Sequence, residues 1–104
     1  MSSVVVLAAS GRLDSTSSPV LEQRLREMVD AGRIRIVLDL ERVGYISSAG
    51  LRVFIVAAKL LGDRAGHFVL AGLSSENLRL FDLTGFTGLV AIAADRSVAM
   101  AQFK

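Results

Sequence analysis

Two apolar segments separated by a short polar turn constrain the fold more than any other feature of this sequence. Residues 34–40 (Ile-Arg-Ile-Val-Leu-Asp-Leu) form a short run with β-branched residues, typical of an internal strand covered on both sides. Residues 44–50 (Gly-Tyr-Ile-Ser-Ser-Ala-Gly) form the turn. Residues 51–61 then carry charge only at Arg52 and Lys59, whose spacing of seven places both on one helical face. The pattern predicts a strand, a turn and a largely buried helix in direct succession.

The N-terminal part of the chain predicts two short strands and a helix. Residues 4–9 form a β-branched run that breaks at residues 10–11 (Ser-Gly) and resumes at residues 12–13, as a β-hairpin would. Residues 18–19 (Ser-Pro) are typical of a helix N-cap and first helical position, and Gly32 would end this helix. Its apolar face consists of Leu21, Leu25, Met28 and Val29.

The C-terminal part repeats the alternation of strand and helix. Residues 67–72 predict a strand, after which a serine at 74 or 75 can cap a helix that stops near Gly85. Residues 89–93 predict a last strand, and Asp95 is a good N-cap for a closing helix. Gly62 would cap the C-terminus of the helix predicted at residues 51–61.

The complete pattern predicts an α/β fold with the element order ββαβαβαβα. We expect a mixed, mostly parallel sheet of about five strands with about four helices. A length of 104 residues with 52% hydrophobic content fits one domain, residues 1–104. No apolar run reaches the roughly 18 residues of a membrane span, and the start of the chain lacks the features of a secretory signal. Because there is also no cysteine, we expect a cytoplasmic protein without membrane association.

The sequence offers little for catalysis, metal binding or nucleic-acid binding. The 12 basic residues are scattered singly, whereas nucleic-acid-binding surfaces gather them on one face. The single histidine, His67, opens a predicted strand about twenty positions after Ser48, a poor arrangement for a catalytic triad. The acidic residues have no metal-ligand spacing, and no phosphate-binding glycine motif is present. We expect no enzymatic activity, metal or cofactor, while nucleotide binding at the strand-to-helix edge stays open.

Two serines, Ser47 and Ser48, lie where the buried helix is predicted to begin. The first amides of a helix lack internal partners and carry the positive end of its dipole, so an oxyanion is stabilised there. Both serines are therefore candidate phosphorylation sites. The alternative is that they only cap the helix, as serine commonly does.

Four segments carry a family resemblance. Residues 11–14 (Gly-Arg-Leu-Asp), 36–40 (Ile-Val-Leu-Asp-Leu), 45–51 (Tyr-Ile-Ser-Ser-Ala-Gly-Leu) and 83–86 (Leu-Thr-Gly-Phe) follow the order and spacing of a STAS domain. Over almost its whole length the chain resembles a stand-alone bacterial anti-sigma factor antagonist. The resemblance implies partner switching: the dephosphorylated antagonist binds a serine kinase that is also an anti-sigma factor and thereby frees a sigma factor. The kinase then phosphorylates the antagonist, and a PP2C-type phosphatase restores the binding form.

By position, the resemblance implies Ser48 as the phosphoacceptor, with Ser47 as the second choice. The sequence also departs from the family pattern, because Ser47 stands in place of an aspartate and Ala49 in place of a second hydroxyl residue. The change at position 49 closes one usual acceptor position and strengthens the prediction for Ser48. Without this aspartate, the resemblance is incomplete at a position that bears on recognition by the kinase. The predicted link to a sigma factor depends on that recognition.

The predicted docking surface surrounds the serines. It comprises Asp14, Ser15, Tyr45, Ser47, Ser48 and Arg52. Asp14 could instead form a turn with its own backbone, and Arg42 and Tyr45 could be ordinary loop residues. A scaffold or regulator outside sigma control and a small nucleotide-binding protein are the alternative functions.

Overall fold

The computed structural model describes residues 3–103, which form one four-stranded sheet flanked by helices. The strands are β1 (Val5–Leu13), β2 (Arg35–Ile46), β3 (His67–Ala71) and β4 (Ala91–Ala93). The helices are α1 (Ser18–Asp30), α2 (Ser48–Asp63), α3 (Ser75–Thr84) and α4 (Arg96–Ala101), with a 3-10 turn at Phe86–Gly88. The strands lie in the order β1-β2-β3-β4, and each neighbouring pair is parallel. The predicted α/β fold is confirmed.

Both faces of the sheet are covered, because alternate residues of a strand point to opposite sides. One face packs against α1, α2 and α3 and holds the larger core, which includes Ile36, Leu38, Leu40, Phe68 and Leu70 from the strands and Leu25, Phe54, Leu61 and Phe81 from the helices. The other face packs against α4 through Val37, Val69, Ala71, Ala93 and Ala99. The internal position predicted for residues 34–40 follows from this double covering.

The first strand differs from the sequence prediction. Residues 5–13 form one continuous strand parallel to β2, not a hairpin, so the sheet has four strands in the described residues where about five were expected. Gly11 has a φ of 83° and lies at an irregularity in the pairing with β2. The extra residue at this irregularity belongs to β2, where Gly44 has no partner in β1. A glycine with positive φ therefore lies within an irregular strand here, although the same conformation also suits a turn between two strands.

The second strand is longer than predicted. It continues through residues 41–46, where Arg12 pairs with Tyr45 and Leu13 with Ile46. The interpretation of Arg42 and Tyr45 as loop residues is therefore wrong. The extended ends of β1 and β2 form a two-stranded projection at the carboxyl edge of the sheet, since β3 pairs with β2 only as far as Asp39.

Most predicted helix ends are confirmed, and two are shifted. Ser74 and Asp95 cap α3 and α4 through their side chains, and Gly85 follows α3 with a φ of 76°. Ser18 is the first residue of α1 and not its N-cap, which is Ser17. Gly62 lies inside α2, which continues to Asp63 and has Arg64 as its C-cap. None of the helices among residues 3–103 is long and apolar enough to cross a membrane.

Candidate functional site

The projection formed by β1 and β2 brings the predicted site together. The amide N–H of Ser47 donates to the carbonyl oxygen of Leu13 at 2.8 Å, so the start of α2 is tied to the end of β1. Gly50 allows this approach, because a Cβ there would lie 3.1 Å from Leu13 Cβ and 3.0 Å from Ile46 Cγ2. Asp14, the next residue after β1, therefore lies beside the two serines.

The two serines have different environments. Ser47 is half-buried and is the N-cap of α2: its Oγ accepts a hydrogen bond from the Gly50 amide at 3.4 Å, a long contact. Ser48 is the first helical residue, is exposed, and makes no side-chain hydrogen bond within residues 3–103. The capping role thus belongs to Ser47, and the accessible hydroxyl is that of Ser48.

Asp14 forms the turn that the sequence allowed for it. Its Oδ1 accepts hydrogen bonds from the amides of Thr16 at 3.0 Å and Ser17 at 3.1 Å. The bonds from Ser17 and then Thr16 lower the pKa of the Asp14 carboxyl below its usual range, because they stabilise the charged form. Ser15 is exposed at the tip of this turn. The turn therefore holds a carboxylate at the surface beside the start of α2.

An arginine that sequence reasoning did not select completes this side of the site. The Arg12 guanidinium carbon lies 4.2 Å from the centre of the Tyr45 ring, and Arg12 Nε lies 4.0 Å from Asp14 Oδ2. Tyr45 is 44% exposed, so its ring packs against Arg12 at the surface and not in the core. Arg12 could have been selected from its pairing with Tyr45 between β1 and β2. The predicted hairpin did not contain this pairing, because it placed residues 12–13 in a strand of their own.

Arg52 lies one turn after Ser48 on α2, and both residues line a groove of about 500 Å³. The ring contacts of Phe54 with Phe81 and Phe86, at centroid distances of 6.5 and 6.4 Å, hold α3 and the 3-10 turn against α2. The rest of the groove lies between these elements and is lined by Leu51, Ile55, Val56, Thr84, Phe86 and Leu89. The surface beside Ser48 is thus largely apolar with one cation at its rim.

The other chemical candidates lie elsewhere. His67 begins β3 at the amino edge of the sheet, where its ring contacts Phe103 at a centroid distance of 5.2 Å, whereas Ser48 follows the carboxyl end of β2. The structure therefore does not bring His67 and Ser48 together. Residues 3–103 contain no group of three or more His, Cys, Asp or Glu residues that could hold a metal ion.

A partly buried ion pair supports the base of the projection. Asp39 Oδ2 accepts bonds from Arg96 Nη2 at 2.8 Å and Nε at 3.2 Å, while Oδ1 accepts from the Glu41 amide at 3.0 Å. Burial raises the pKa of the Asp39 carboxyl, but the bonds from Glu41 and Arg96 outweigh it and hold the pKa below its usual value. Asp39 lies where the pairing of β1 and β2 shifts register, between Ala8 and Ser10 of β1. The pair therefore secures the bulge from which the projection begins.

We predict that Asp39→Asn destabilises the protein at neutral pH by about 1 to 2 kcal/mol, since it removes a charge-assisted pair to a half-exposed arginine. A carboxyl with a lowered folded-state pKa stabilises the fold above its unfolded pKa of about 3.9. This contribution disappears as the pH falls through the folded-state pKa. Urea unfolding at several pH values should therefore show a difference between wild type and variant that vanishes in acid.

The matched control is Asp82→Asn on α3, because Asp82 is exposed and its side chain makes no hydrogen bond or ion pair within the described residues. Because Asp82 lies in the last turn of α3, where the helix dipole disfavours negative charge, Asp82→Asn should leave the stability at neutral pH unchanged or raise it by up to about 1 kcal/mol, and should not lower it. A difference for Asp39→Asn that is independent of pH would contradict the assignment to this ion pair.

Fold and site define a class: a small parallel α/β domain that presents a serine at the start of a helix. The STAS domain family matches residues 2–99, and the chain belongs to this family. It is 39% identical over 101 residues to the protein BtrV of Bordetella bronchiseptica, covering 97% of this chain and 87% of BtrV. It is 36% identical over 86 residues to the anti-sigma-B factor antagonist of Bacillus subtilis, covering 82% and 77% of the two chains. The resemblance found in the sequence is confirmed.

The fold is shared with a protein of solved structure. The structure of the Bacillus cell fate determinant SpoIIAA in its phosphorylated form superposes with a TM-score of 0.73 at 20% identity, covering 97% of this chain and 91% of SpoIIAA. At this identity the similarity concerns the fold.

Proposed function

We propose that this chain, as one STAS domain spanning residues 1–104, is an anti-sigma factor antagonist that acts by partner switching. The unphosphorylated form binds and sequesters a serine kinase that is also an anti-sigma factor, and phosphorylation of Ser48 releases it. A PP2C-type phosphatase returns the protein to its binding form. Support comes from the relative named as an anti-sigma-B factor antagonist and from SpoIIAA, a protein of the same fold with a phosphorylated form. Such a role would operate in the bacterial cytoplasm, where sigma factors act.

The observation that carries the proposal is the exposed hydroxyl of Ser48 at the first position of a 16-residue helix. A kinase must reach the oxygen that it phosphorylates, and Ser48 presents it without a competing side-chain hydrogen bond among the described residues. Ser47 is half-buried and its Oγ already caps α2. The alternative in which the serines serve only as caps therefore accounts for Ser47 and leaves Ser48 without a role.

Phosphorylation should disturb the antagonist itself little. A phosphate adds a charge of roughly −1.5 to −2 at neutral pH, and the first turn of a helix favours negative charge. Arg52, one turn later beside the same groove, supplies a cation. We therefore expect the phosphorylated protein to keep its fold.

The partner should respond differently. If Ser48 lies in the interface, docking places its phosphate against the partner without a matching cation, which costs several kcal/mol, and each 1.4 kcal/mol is about tenfold in affinity. The proposed contact surface comprises Asp14, Ser15, Tyr45, Ser47, Ser48 and Arg52, together with Arg12, which packs on Tyr45. Modification of one oxygen could in this way dissociate the complex.

Incubation with the cognate kinase and ATP tests the proposed site. Intact-mass spectrometry should show the addition of a single phosphoryl group to the wild type and to Ser47→Ala, and none to Ser48→Ala. The circular dichroism spectra of all three proteins should match, because neither substitution removes a buried contact of the core. Phosphorylation that persists in Ser48→Ala, or is lost only in Ser47→Ala, would assign the reaction to another oxygen. No modification of any variant would argue against the switch.

A further inference from the structure

A polar cleft separates the first turns of α1 and α2. Its volume is about 230 Å³, and it lies on the α1 side of α2, whereas the apolar groove with Ser48 lies on the α3 side. The cleft is lined by Ser18, Pro19, Glu22 and Gln23 of α1 and by Ala49, Arg52 and Val53 of α2. Arg52 lines both depressions and is the residue that they share.

Ser18 gives the cleft an unmatched hydrogen-bonding group. The residue is 1% exposed, and its Oγ has no hydrogen-bond partner among the described residues. A buried hydroxyl without a partner is costly, so a ligand that reaches it and accepts a hydrogen bond from it gains an interaction that the free protein lacks. Neither the fold nor the proposed phosphorylation accounts for this serine.

Arg52 gives the cleft an unmatched charge. Its side chain is exposed and has no ion pair or hydrogen bond within residues 3–103. The acidic residue of the cleft, Glu22, is already paired with Arg26, at 3.1 Å between Oε2 and Nε. The cleft therefore combines an exposed guanidinium with a buried hydroxyl that lacks a partner, and both groups can donate hydrogen bonds to an oxyanion.

We propose that the cleft between α1 and α2 is an oxyanion site that receives a carboxylate side chain of the partner protein. The carboxylate accepts hydrogen bonds from Arg52 and Ser18. The identity of the partner rests on the proposed function, whereas the affinity of the cleft for an oxyanion does not.

The same arginine links this site to the switch. Ser48 and Arg52 are four residues apart on α2, a spacing that places their side chains next to each other on a helix. A phosphate on Ser48 is the nearer and more highly charged partner, so it draws the guanidinium toward itself. The cleft then loses its cation and its affinity for the carboxylate of the partner. Phosphorylation would thus act by withdrawing an attraction as well as by adding a repulsion.

NMR of the isotope-labelled protein tests the site without any partner, with inorganic phosphate as the probe and sodium chloride at equal ionic strength as the reference. We expect saturable shifts of the Arg52 side-chain N–H signal and of the amides around the cleft. Ser18→Ala should weaken these shifts and Arg52→Gln should abolish them. Lys59→Gln should leave them unchanged, because it removes a charge from the same helix outside the cleft. Shifts that do not saturate, or that survive in Arg52→Gln, would overturn the site.

Protein with genetically encoded phosphoserine at position 48 tests the link to the switch. The Arg52 side-chain signal should already be shifted without added anion, and the cleft should no longer respond to inorganic phosphate. An unchanged Arg52 signal with undiminished anion binding would disprove the competition for Arg52. Both results are independent of partner binding, so they would stand even if the proposed function failed in the kinase experiment.

Discussion

Replacing Ser48 by glutamate is expected to weaken binding of the kinase partner by about a hundredfold or more. The carboxylate introduces a charge at the proposed interface, and burial of an unmatched charge costs several kcal/mol, while 1.4 kcal/mol is about tenfold in affinity. The fold should tolerate the change, because negative charge in the first turn of a helix is neutral or stabilises by up to about 1 kcal/mol. Ser48→Ala should bind like the unphosphorylated wild type and stay bound in the presence of ATP. Isothermal titration calorimetry measures all three affinities.

Ser97→Glu is the matched control for this experiment. Ser97 is also an exposed serine in the first turn of a helix, but it lies on α4, which packs on the opposite face of the sheet from α2. Ser97→Glu adds the same charge as Ser48→Glu. It should leave the affinity within about twofold of the wild type, as expected for an exposed charge outside the interface. Equal affinities for wild type and Ser48→Glu would contradict the proposed interface. Equal losses in both acidic variants would reveal a general charge effect and not a local one.

Gly66→Ala should produce the largest loss of stability. A Cβ on Gly66 would lie 2.3 Å from the Ile34 carbonyl oxygen and 3.0 Å from that of Leu61. Neither backbone oxygen can move easily, because Ile34 accepts a hydrogen bond from His67 at 2.8 Å and Leu61 accepts one from Gly66 at 2.7 Å. We expect a loss of about 3 kcal/mol or more in the free energy of unfolding, at the upper end for an overpacked site. Thermal unfolding should show a midpoint lower by more than about 10 °C.

Gly62→Ala provides a control of opposite sign. Gly62 lies within α2 and is exposed, and a Cβ added there would have no atom within 4 Å beyond its own helix backbone and chain neighbours. Alanine should therefore stabilise the helix by about 0.5 to 1 kcal/mol through its higher helix propensity. If both substitutions changed the unfolding midpoint in the same direction, the close approach at Gly66 would not be the cause.

The sequence alone was sufficient for the class of fold and for the helix start at which Ser47 and Ser48 lie. Residues 34–40 and 51–61 are an internal strand and a buried helix because their apolar patterns leave few other ways to remove them from water. The helix starts at Ser74 and Asp95 were also readable, because a side-chain cap depends on residues within one turn. Local signals of this kind are complete within a short stretch of chain.

The sequence could not decide how the first strand is used. A glycine with positive φ suits a hairpin turn and an irregular position within a strand equally well, and the choice depends on which strand lies beside it. Pairing of β1 with the whole of β2 kept Gly11 inside a strand, opposite a bulge in β2, extended both strands, and placed Arg12 against Tyr45. For the same reason the ion pair between Asp39 and Arg96, 57 residues apart, had no signature in the sequence.

The sequence by itself determined that two hydroxyls begin a buried helix, since that follows from the order of polar and apolar residues. Only the tertiary structure distinguished them: the Gly50 amide faces Ser47, which caps the helix, and Ser48 is left exposed. It also decided that Arg52 lies between a cleft against α1 and a groove against α3, because helices distant in sequence form those walls. Accessibility and shared neighbours are properties of packing, and packing depends on contacts that no single segment contains.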